Sequence, residues 1–427
     1  MVNPICTGYN DSAGLDISNT LVTKEYLLEN YQDLLPQDKI PNLRTWGANI
    51  NIFVSGGGTN CYASGQLGDG TISNRSTPVQ TVAGSTNWKQ ISAGRIHTTA
   101  IKTNGTLWTW GCNGDGQLGD VTTLDRSSPI QTISGGTNWK QVSGGGFHTA
   151  AIKTDGTLWL WGANGAGQLG DGTTSPKSSP VQTISGGTNW SQVATGNRHT
   201  AAIKTDGTLW LWGSNCTGQL GDNTGSSKCS PVQTIAGGNN WKQVDASIED
   251  NGNVSCPLTY TWNFTAAVKT DGTLWTWGNN FSGQLGDGTT IKRSSPVQTI
   301  AGGTNWKQVS LGMCHAAAIK TDGSLWSWGE NCCGQLGNNT IASRSSPVQT
   351  IAGGTNWKQV SAGGYFSSAI KTDGTLWIWG NNRSGELGDN TIVNKSSPIQ
   401  ISPAIYSWKQ VSNGLRHATA IISFGEF

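Results

Sequence analysis

Residues 196–222 read Gly196-Asn197-Arg198-His199-Thr200-Ala201-Ala202-Ile203-Lys204-Thr205-Asp206-Gly207-Thr208-Leu209-Trp210-Leu211-Trp212-Gly213-Ser214-Asn215-Cys216-Thr217-Gly218-Gln219-Leu220-Gly221-Asp222. Two short β-prone segments, His199 to Lys204 and Leu209 to Trp212, flank Thr205-Asp206-Gly207-Thr208, and an Asp-Gly pair readily takes the positive φ angles of a two-residue hairpin turn. Trp210 and Trp212 stand two apart and share one face of a strand, while Leu209 points to the other. Both faces are apolar, as in a sheet covered on each side. A strand around Trp190 to Val193 precedes this hairpin. After the glycine-bearing exit Gly213 to Gly221, a fourth strand begins near Pro231, where proline suits an outermost strand.

The unit recurs. The glycine opening Gly-Gln-Leu-Gly (Gly-Glu-Leu-Gly in the last copy) stands at Gly65, Gly116, Gly167, Gly218, Gly283, Gly334 and Gly385, with a period of 51 residues. Seven such units predict an all-β, seven-bladed β-propeller of four-stranded blades. The first copy starts only at Leu43-Arg44-Thr45-Trp46-Gly47, and the chain finishes with Trp408-Lys409-Gln410-Val411 and His417 to Ile421, the two strands missing at the front. One blade is therefore expected to pair the N- and C-terminal strands and close the ring. The predicted division is an N-terminal arm, 1–42, and a propeller, 43–427. Insertions of 13 and 14 residues fall between Trp46 and Gly65 and between Gly218 and Gly283. The first is a connection between third and fourth strands and the second between first and second, so both should decorate one face, in blades three apart.

Composition agrees with a repeat array and narrows the function. The 427 residues include 60 glycines and 21 tryptophans but only 12% charged residues, a balance that suits tight turns and large side chains between sheets. A net charge of +2 from 27 basic and 25 acidic residues is not the concentrated basic footprint of a nucleic-acid binder. The start, Met1-Val2-Asn3-Pro4-Ile5-Cys6, lacks the pattern of a signal peptide, and no apolar run reaches membrane-spanning length. Nine cysteines show no C-x-x-C pair or regular framework, so free thiols are expected, with Cys61 and Cys256 as one possible pair.

The string Gly-x-x-His-Thr-x-Ala-Ile-Lys-Thr-Asp-Gly-x-Leu-Trp-x-Trp-Gly-x-Asn-x-x-Gly-Gln-Leu-Gly-Asp, Gly196 to Asp222, resembles the repeat of the regulator of chromosome condensation family, and the likeness runs from residue 43 to 427. The resemblance implies a seven-bladed ring with terminal closure. It says less about function, because the family includes a nucleotide exchange factor for a nuclear GTPase, a plant ultraviolet photoreceptor, β-lactamase inhibitors and ligase-associated domains. The photoreceptor's Gly-Trp-Arg-His-Thr segment has its counterparts here in Gly196-Asn197-Arg198-His199 and Gly414-Leu415-Arg416-His417, without the tryptophan. Light sensing is therefore not expected, and no acidic wedge of the exchange factor is found. The near-uniform copies, with Gly302 to Ser310 identical to Gly353 to Ser361, also resemble phage-encoded members of the family.

Catalytic chemistry finds no foothold in the pattern. His97, His148, His199, His315 and His417 share one repeat position, which Phe264 and Phe366 occupy in the other copies. A position that accepts phenylalanine fills space, so these histidines are read as structural and not as metal ligands. Asp155 and Asp206 are turn residues, and Lys140 and Lys153 are read as solvated surface. Neither a cofactor site nor a catalytic set stands apart from the repeat.

Recognition should then sit where the copies differ. Candidate partner-binding residues are Ile52, Phe53 and Val54 in the first insertion and Glu249, Asp250, Tyr260 and Trp262 in or just after the second, although either loop could pack on itself. In the arm, Leu27, Tyr31, Leu34 and Leu35 recur at helical spacing, predicting a helix over about 23–35 ended by Pro36, which either docks on its own propeller or anchors the ring to a larger assembly. The expectation is a non-enzymatic structural or adhesive scaffold, plausibly on a phage particle and otherwise cytoplasmic. The second reading is an intracellular protein-binding propeller, including an exchange-factor-like regulator.

Overall fold

A computed structural model describes residues 42–49, 64–249, 262–401 and 406–424. The arm helix with Leu27, Tyr31, Leu34 and Leu35, the insertion residues Ile52, Phe53, Val54, Asp250 and Tyr260, and the cysteines Cys61 and Cys256 lie outside these residues. Among the described residues there are seven four-stranded antiparallel sheets and no helix. We number the blades by their first strands: Trp88–Ala93, Trp139–Gly144, Trp190–Thr195, Trp241–Ala246, Trp306–Leu311, Trp357–Ala362 and Tyr406–Asn413.

Blade 7 is shared between the two ends of the propeller. Leu43–Gly47 pairs with His417–Phe424, in the register Leu43 to Ile421 and Trp46 to Ala418. Arg75–Gln80 adds the outer strand and Tyr406–Asn413 the inner one. The expected ring closure is thus present in the pairing itself.

Blades adhere through the tryptophans of the third strands. Trp46, Trp110, Trp161, Trp212, Trp277, Trp328 and Trp379 are each fully buried. Each donates its indole N–H at 2.9 Å to the backbone carbonyl of the preceding blade's Gly-Gln-Leu-Gly segment, Gln66 O for Trp110 and Glu386 O for Trp46. The second glycine of that segment is required by contact as well as by conformation. At Gly170 φ is +64° and a Cβ would sit 2.7 Å from Nε1 of Trp212, so any side chain would push the indole off its acceptor. Trp190 meets Trp212 edge to face at 6.1 Å, a geometry favoured by the ring quadrupoles.

Two local expectations are revised. The Asp-Gly connection is a three-residue loop: Lys204 N donates to Thr208 O at 3.0 Å, Gly207 N to Lys204 O at 2.9 Å, and only Gly207 is left-handed. Asp206 stays at negative φ because its carboxylate accepts from Thr208 N and Oγ1, an arrangement belonging to a type I turn followed by a bulge. The outer strand starts at Lys228, before Pro231, with the register shifting between Leu211 and Gly213.

The inner strands would present bare edges to the axis, and a ladder of side chains covers them. Gln90, Gln141, Gln192, Gln243, Gln308, Gln359 and Gln410 each donate Nε2–H to a backbone carbonyl of the next blade's inner strand at 2.7–3.5 Å. Each also accepts the amide N–H of that same residue at 2.9–3.3 Å. One amide side chain therefore satisfies both groups of a peptide edge.

Candidate functional site

Four strands alternating in direction put the first-to-second and third-to-fourth connections of every blade on one face. Two hydrogen bonds fix this for the inserted blades: Ala48 N to Arg416 O at 2.7 Å, and Thr217 Oγ1 to Asn263 O at 2.9 Å. Asn49 and Glu249, the described residues that precede the two insertions, lie at this face, opposite the Asp-Gly turns.

The first-to-second connections form its inner rim. Arg95 N donates to Gly145 O, Gly146 N to Gly196 O, Asn197 N to Ser247 O, Met313 N to Gly363 O and Gly364 N to Gly414 O, all at 3.0–3.3 Å. Glycine precedes these residues in every blade but blade 4, where Ser247 takes the position and accepts from Phe264 N; at Gly196 a Cβ would lie 2.3 Å from its own blade's His199 ring and 2.9 Å from Ser247 O. Side chains after these glycines differ from blade to blade. Ile248, Met313, Cys314 and Leu415 form a buried apolar cluster against which Trp262 and Tyr365 pack. Trp262 meets Phe281 edge to face at 6.3 Å, and Phe281 is 53% exposed. Arg198, Tyr365 and Arg416 are half-buried, as is Trp262.

Of the described residues expected to contact a partner, Trp262 lies on this rim and Glu249 lies beneath it. Glu249 is buried, and its carboxylate accepts from Trp262 N at 3.2 Å, Asn263 Nδ2 at 2.9 Å and Asn197 Nδ2 at 3.3 Å. It organises the base of the second insertion and is not presented to solvent. Arg198, Phe281, Tyr365 and Arg416 were not proposed as contact residues from sequence, although each stands in a repeat column that varies from blade to blade and was findable that way.

The shared histidine position is an interblade joint. His97, His148, His199 and His417 place Nε2 2.9–3.0 Å from the hydroxyl of Thr149, Thr200, Thr265 and Thr98 in the next blade, and His315 lies 2.8 Å from Ser367 Oγ. Each hydroxyl gives its own proton to a Gly-Gln-Leu-Gly carbonyl, as Thr265 does to Gln219 O at 2.8 Å. The imidazole must therefore donate from Nε2–H, leaving Nδ1 bare, and Nδ1 has no hydrogen-bond partner in any of the five. Burial alone drives His97, His199 and His315 down to about 3 and dominates for His148 and His417, also at about 3. A neutral imidazole with one nitrogen committed to a hydroxyl is a packing element.

The axial channel, of about 200 Å³, is lined by the glutamines, Val or Ile, and a third column made of Ser92, Ser143, Ala194, Asp245, Ser310, Ser361 and Ser412. Serines of this column accept the amide of the following blade, for example Ser92 Oγ from Gly144 N at 3.0 Å. Ala194 cannot serve Ala246 N, and Asp245 does so instead, taking Ala246 N on Oδ1 at 3.0 Å and Leu311 N on Oδ2 at 2.8 Å. Although it faces the channel, the carboxyl lies deep inside the ring, and desolvation outweighs these bonds and pushes it up to about 6.

Two sequence readings need correction. Lys153 is not merely solvated: its ammonium lies 4.9 Å over Trp139 and 4.6 Å over Trp159, and Lys102, Lys204, Lys269, Lys320 and Lys371 do the same. The aliphatic stem covers the half-exposed indoles while the charge meets two π faces. The thiols are not all free either. Cys112 and Cys216 are each engaged in a disulfide, whereas Cys229, Cys332 and Cys333 carry free thiols.

The model of the regulator of chromosome condensation (RCC1) repeat matches residues 104–152, 155–203, 206–248, 271–319, 322–370 and 373–421. The chain belongs to the RCC1 repeat family. The ultraviolet-B receptor UVR8 of Arabidopsis thaliana is 32% identical over 78% of this chain and 74% of its own length. The mitochondrial RCC1 domain-containing protein RUG3 of the same plant is 28% identical over 85% and 84%. The human E3 ubiquitin-protein ligase HERC2 is 29% identical over 80% of this chain but only 8% of its own. Among solved structures, Prp20p of Saccharomyces cerevisiae superposes with a TM-score of 0.74 at 17% identity, covering 93% of this chain and 95% of that one. Human WBSCR16 gives 0.71 at 18%, covering 90% and 99%. These two likenesses concern the fold of an RCC1-type ring.

Proposed function

We propose that this RCC1-family propeller is a non-enzymatic scaffold that binds a protein partner on its inserted-loop face. The observation that carries the reading is the gathering of Arg198, Trp262, Phe281, Tyr365 and Arg416, half-buried or exposed and all outside the repeat consensus, around one rim. Tryptophan, tyrosine and arginine dominate interface energetics because they bury large areas while keeping a polar handle. Relatives support the class of partner: the Prp20p structure is described with binding to Gsp1p and histones, and yeast RCC1 with Kap60 bound. These likenesses favour the protein-binding reading over the phage-particle one.

A photo-crosslinking residue at Tyr365 should capture the partner in cells, whereas one at Asp155, on the Asp-Gly face, should not. The reverse pattern would overturn the choice of face. Deleting residues 1–42 separates the two readings: a particle component loses incorporation into its assembly, whereas a loop-face binder keeps its partner. The exchange-factor version requires accelerated nucleotide release from a small GTPase, lost in a Trp262→Ala, Tyr365→Ala double variant.

A further inference from the structure

One third-to-fourth connection carries a feature absent from its equivalents. After the asparagine that organises this loop, other blades have Gly114-Asp115, Gly165-Ala166, Cys216-Thr217, Phe281-Ser282 and Arg383-Ser384, but blade 5 has Cys332-Cys333. The backbone around the pair is pinned on both sides. Gly334 N donates to Asn331 O at 3.0 Å, Cys333 N to Gln335 Oε1 at 2.9 Å, and Leu336 N to Asn331 Oδ1 at 3.0 Å. Held in this turn, the two Sγ atoms lie 3.5 Å apart, with Cys332 exposed and Cys333 half-buried.

We propose that Cys332 and Cys333 form a modification site for hydroperoxides, with Cys333 the attacking sulfur and Cys332 the resolving one. In the first step the Cys333 thiolate attacks the terminal oxygen of the hydroperoxide. The O–O bond breaks, the alcohol (water, from hydrogen peroxide) departs with a proton, and Cys333 becomes a sulfenic acid. Cys332 Sγ then attacks the Cys333 sulfur, the S–O bond breaks, and water leaves with the Cys332 proton. Two thiols lose two electrons in total and the hydroperoxide gains them.

The surroundings distinguish the two sulfurs. The hydrogen bond from Cys332, aided by the Arg383 guanidinium, draws the Cys333 thiol down to about 7 against burial and against Glu330 and Glu386. That same hydrogen bond, with burial and Glu330, holds Cys332 up. A low-pKa thiol beside a second thiol is the arrangement that converts peroxide into a disulfide without over-oxidation. Adjacent Cα atoms are ~3.8 Å apart, below the roughly 4.4–6.8 Å span of relaxed disulfides. The product is therefore strained and easily reduced, which makes the modification reversible. Gln335 O accepts from Trp379 Nε1 and Ser367 Oγ of blade 6, so distortion of the turn reaches the blade 5 to blade 6 seam.

The test uses the full chain, hydrogen peroxide and peptide mass spectrometry, with exposed Cys229 as an internal control. In the native protein, the peptide holding Cys332 and Cys333 should lose two hydrogens at least about tenfold faster than Cys229 is oxidised, and a mild thiol should restore it. Cys332→Ser should accumulate a dimedone-reactive sulfenic acid on Cys333, and Cys333→Ser should react at the Cys229 rate. Equal rates at Cys333 and Cys229, undiminished oxidation in Cys333→Ser, or intermolecular cross-linking through Cys332 would each overturn the assignment.

Discussion

At the blade seams, a hydroxyl follows the second-strand histidine position only where the preceding blade supplies a histidine to meet it. Thr149, Thr200, Thr265, Ser367 and Thr98 face His97, His148, His199, His315 and His417. Ala316 and Ala418 instead pack in apolar clusters with Phe264 and Phe366. The rule is local chemistry: a buried imidazole N–H left without an acceptor costs about 1–3 kcal/mol. Thr265→Ala should therefore cost roughly that much in urea unfolding, yet markedly less in a His199→Phe background, where the seam matches the natural Phe264/Ala316 pair. Equal costs in both backgrounds would refute the coupling. Asp245 obeys the same accounting. Asp245→Ser alone strands Ala246 N–H, whereas Ala194→Ser with Asp245→Ser restores the repeat and removes a carboxylate held at about 6. The double variant should match or exceed the native stability at pH 7 while the single variant falls below it, both read from thermal denaturation.

Within single elements, the third-to-fourth connections of all blades but blade 5 are locked by an Asn–Asp–Thr network closed by a cation from the outer strand. Arg75 reaches Asp69 at 2.7 Å, Arg126 reaches Asp120 and Arg293 reaches Asp287 at 2.9 Å, while Lys177, Lys228 and Lys395 reach their aspartates at 3.6–3.8 Å. Blade 5 has Asn338 in place of the aspartate, still accepting from Asn331 Nδ2 and Thr340, and Arg344 has no carboxylate opposite it. Asn338→Asp should add about 0.5 kcal/mol, the worth of a partly exposed pair. The gain should fade in high salt and as pH falls through the depressed aspartate range seen for Asp287. A gain insensitive to both would point to a cause other than the ion pair.

For the whole molecule, five buried neutral histidines make the ring acid-sensitive. Their folded values near 3 lie below the ordinary 6.5, so the unfolded chain binds more protons between these limits. Stability is complete above about pH 6.5 and is lost as pH falls toward 3, at roughly 1 kcal/mol per pH unit for each histidine. Asp245 acts in the opposite sense, because its folded value near 6 means that its charge penalty is present above pH 6 and is relieved on acidification. Burial also raises Asp115, Asp125 and Glu386, which act with Asp245, but the aspartates of the third-to-fourth connections are held low and act with the five imidazoles, so urea midpoints should drop from pH 6 to pH 4. The paired change His199→Phe with Thr265→Ala should remove about one proton from that slope; an unchanged slope would mean that the histidines do not drive acid unfolding.

How much of this was legible in the sequence follows from which contacts repeat. The period, the paired tryptophans and the closing strands could be read directly, because every blade meets its neighbour through the same residues and seven copies average out local ambiguity. The seam matching was also written in the columns, His or Phe in one blade against Thr, Ser or Ala in the next, but its meaning required the interblade distances. Lys153 over two indoles, Asp245 serving an amide stranded by Ala194, and Glu249 buried beneath Trp262 were decided by tertiary structure alone. Lys153 meets indoles on the two strands beside it in its own sheet, Glu249 closes on Trp262 across the second insertion, and Asp245 serves Leu311 of the next blade; register and blade approach decide these meetings, and a linear pattern does not record either. Sequence determined the ring because burying tryptophan on one face of every sheet and leucine or isoleucine on the other leaves few alternatives; the structure decided which polar groups meet, because hydrogen bonds depend on close and directed approach.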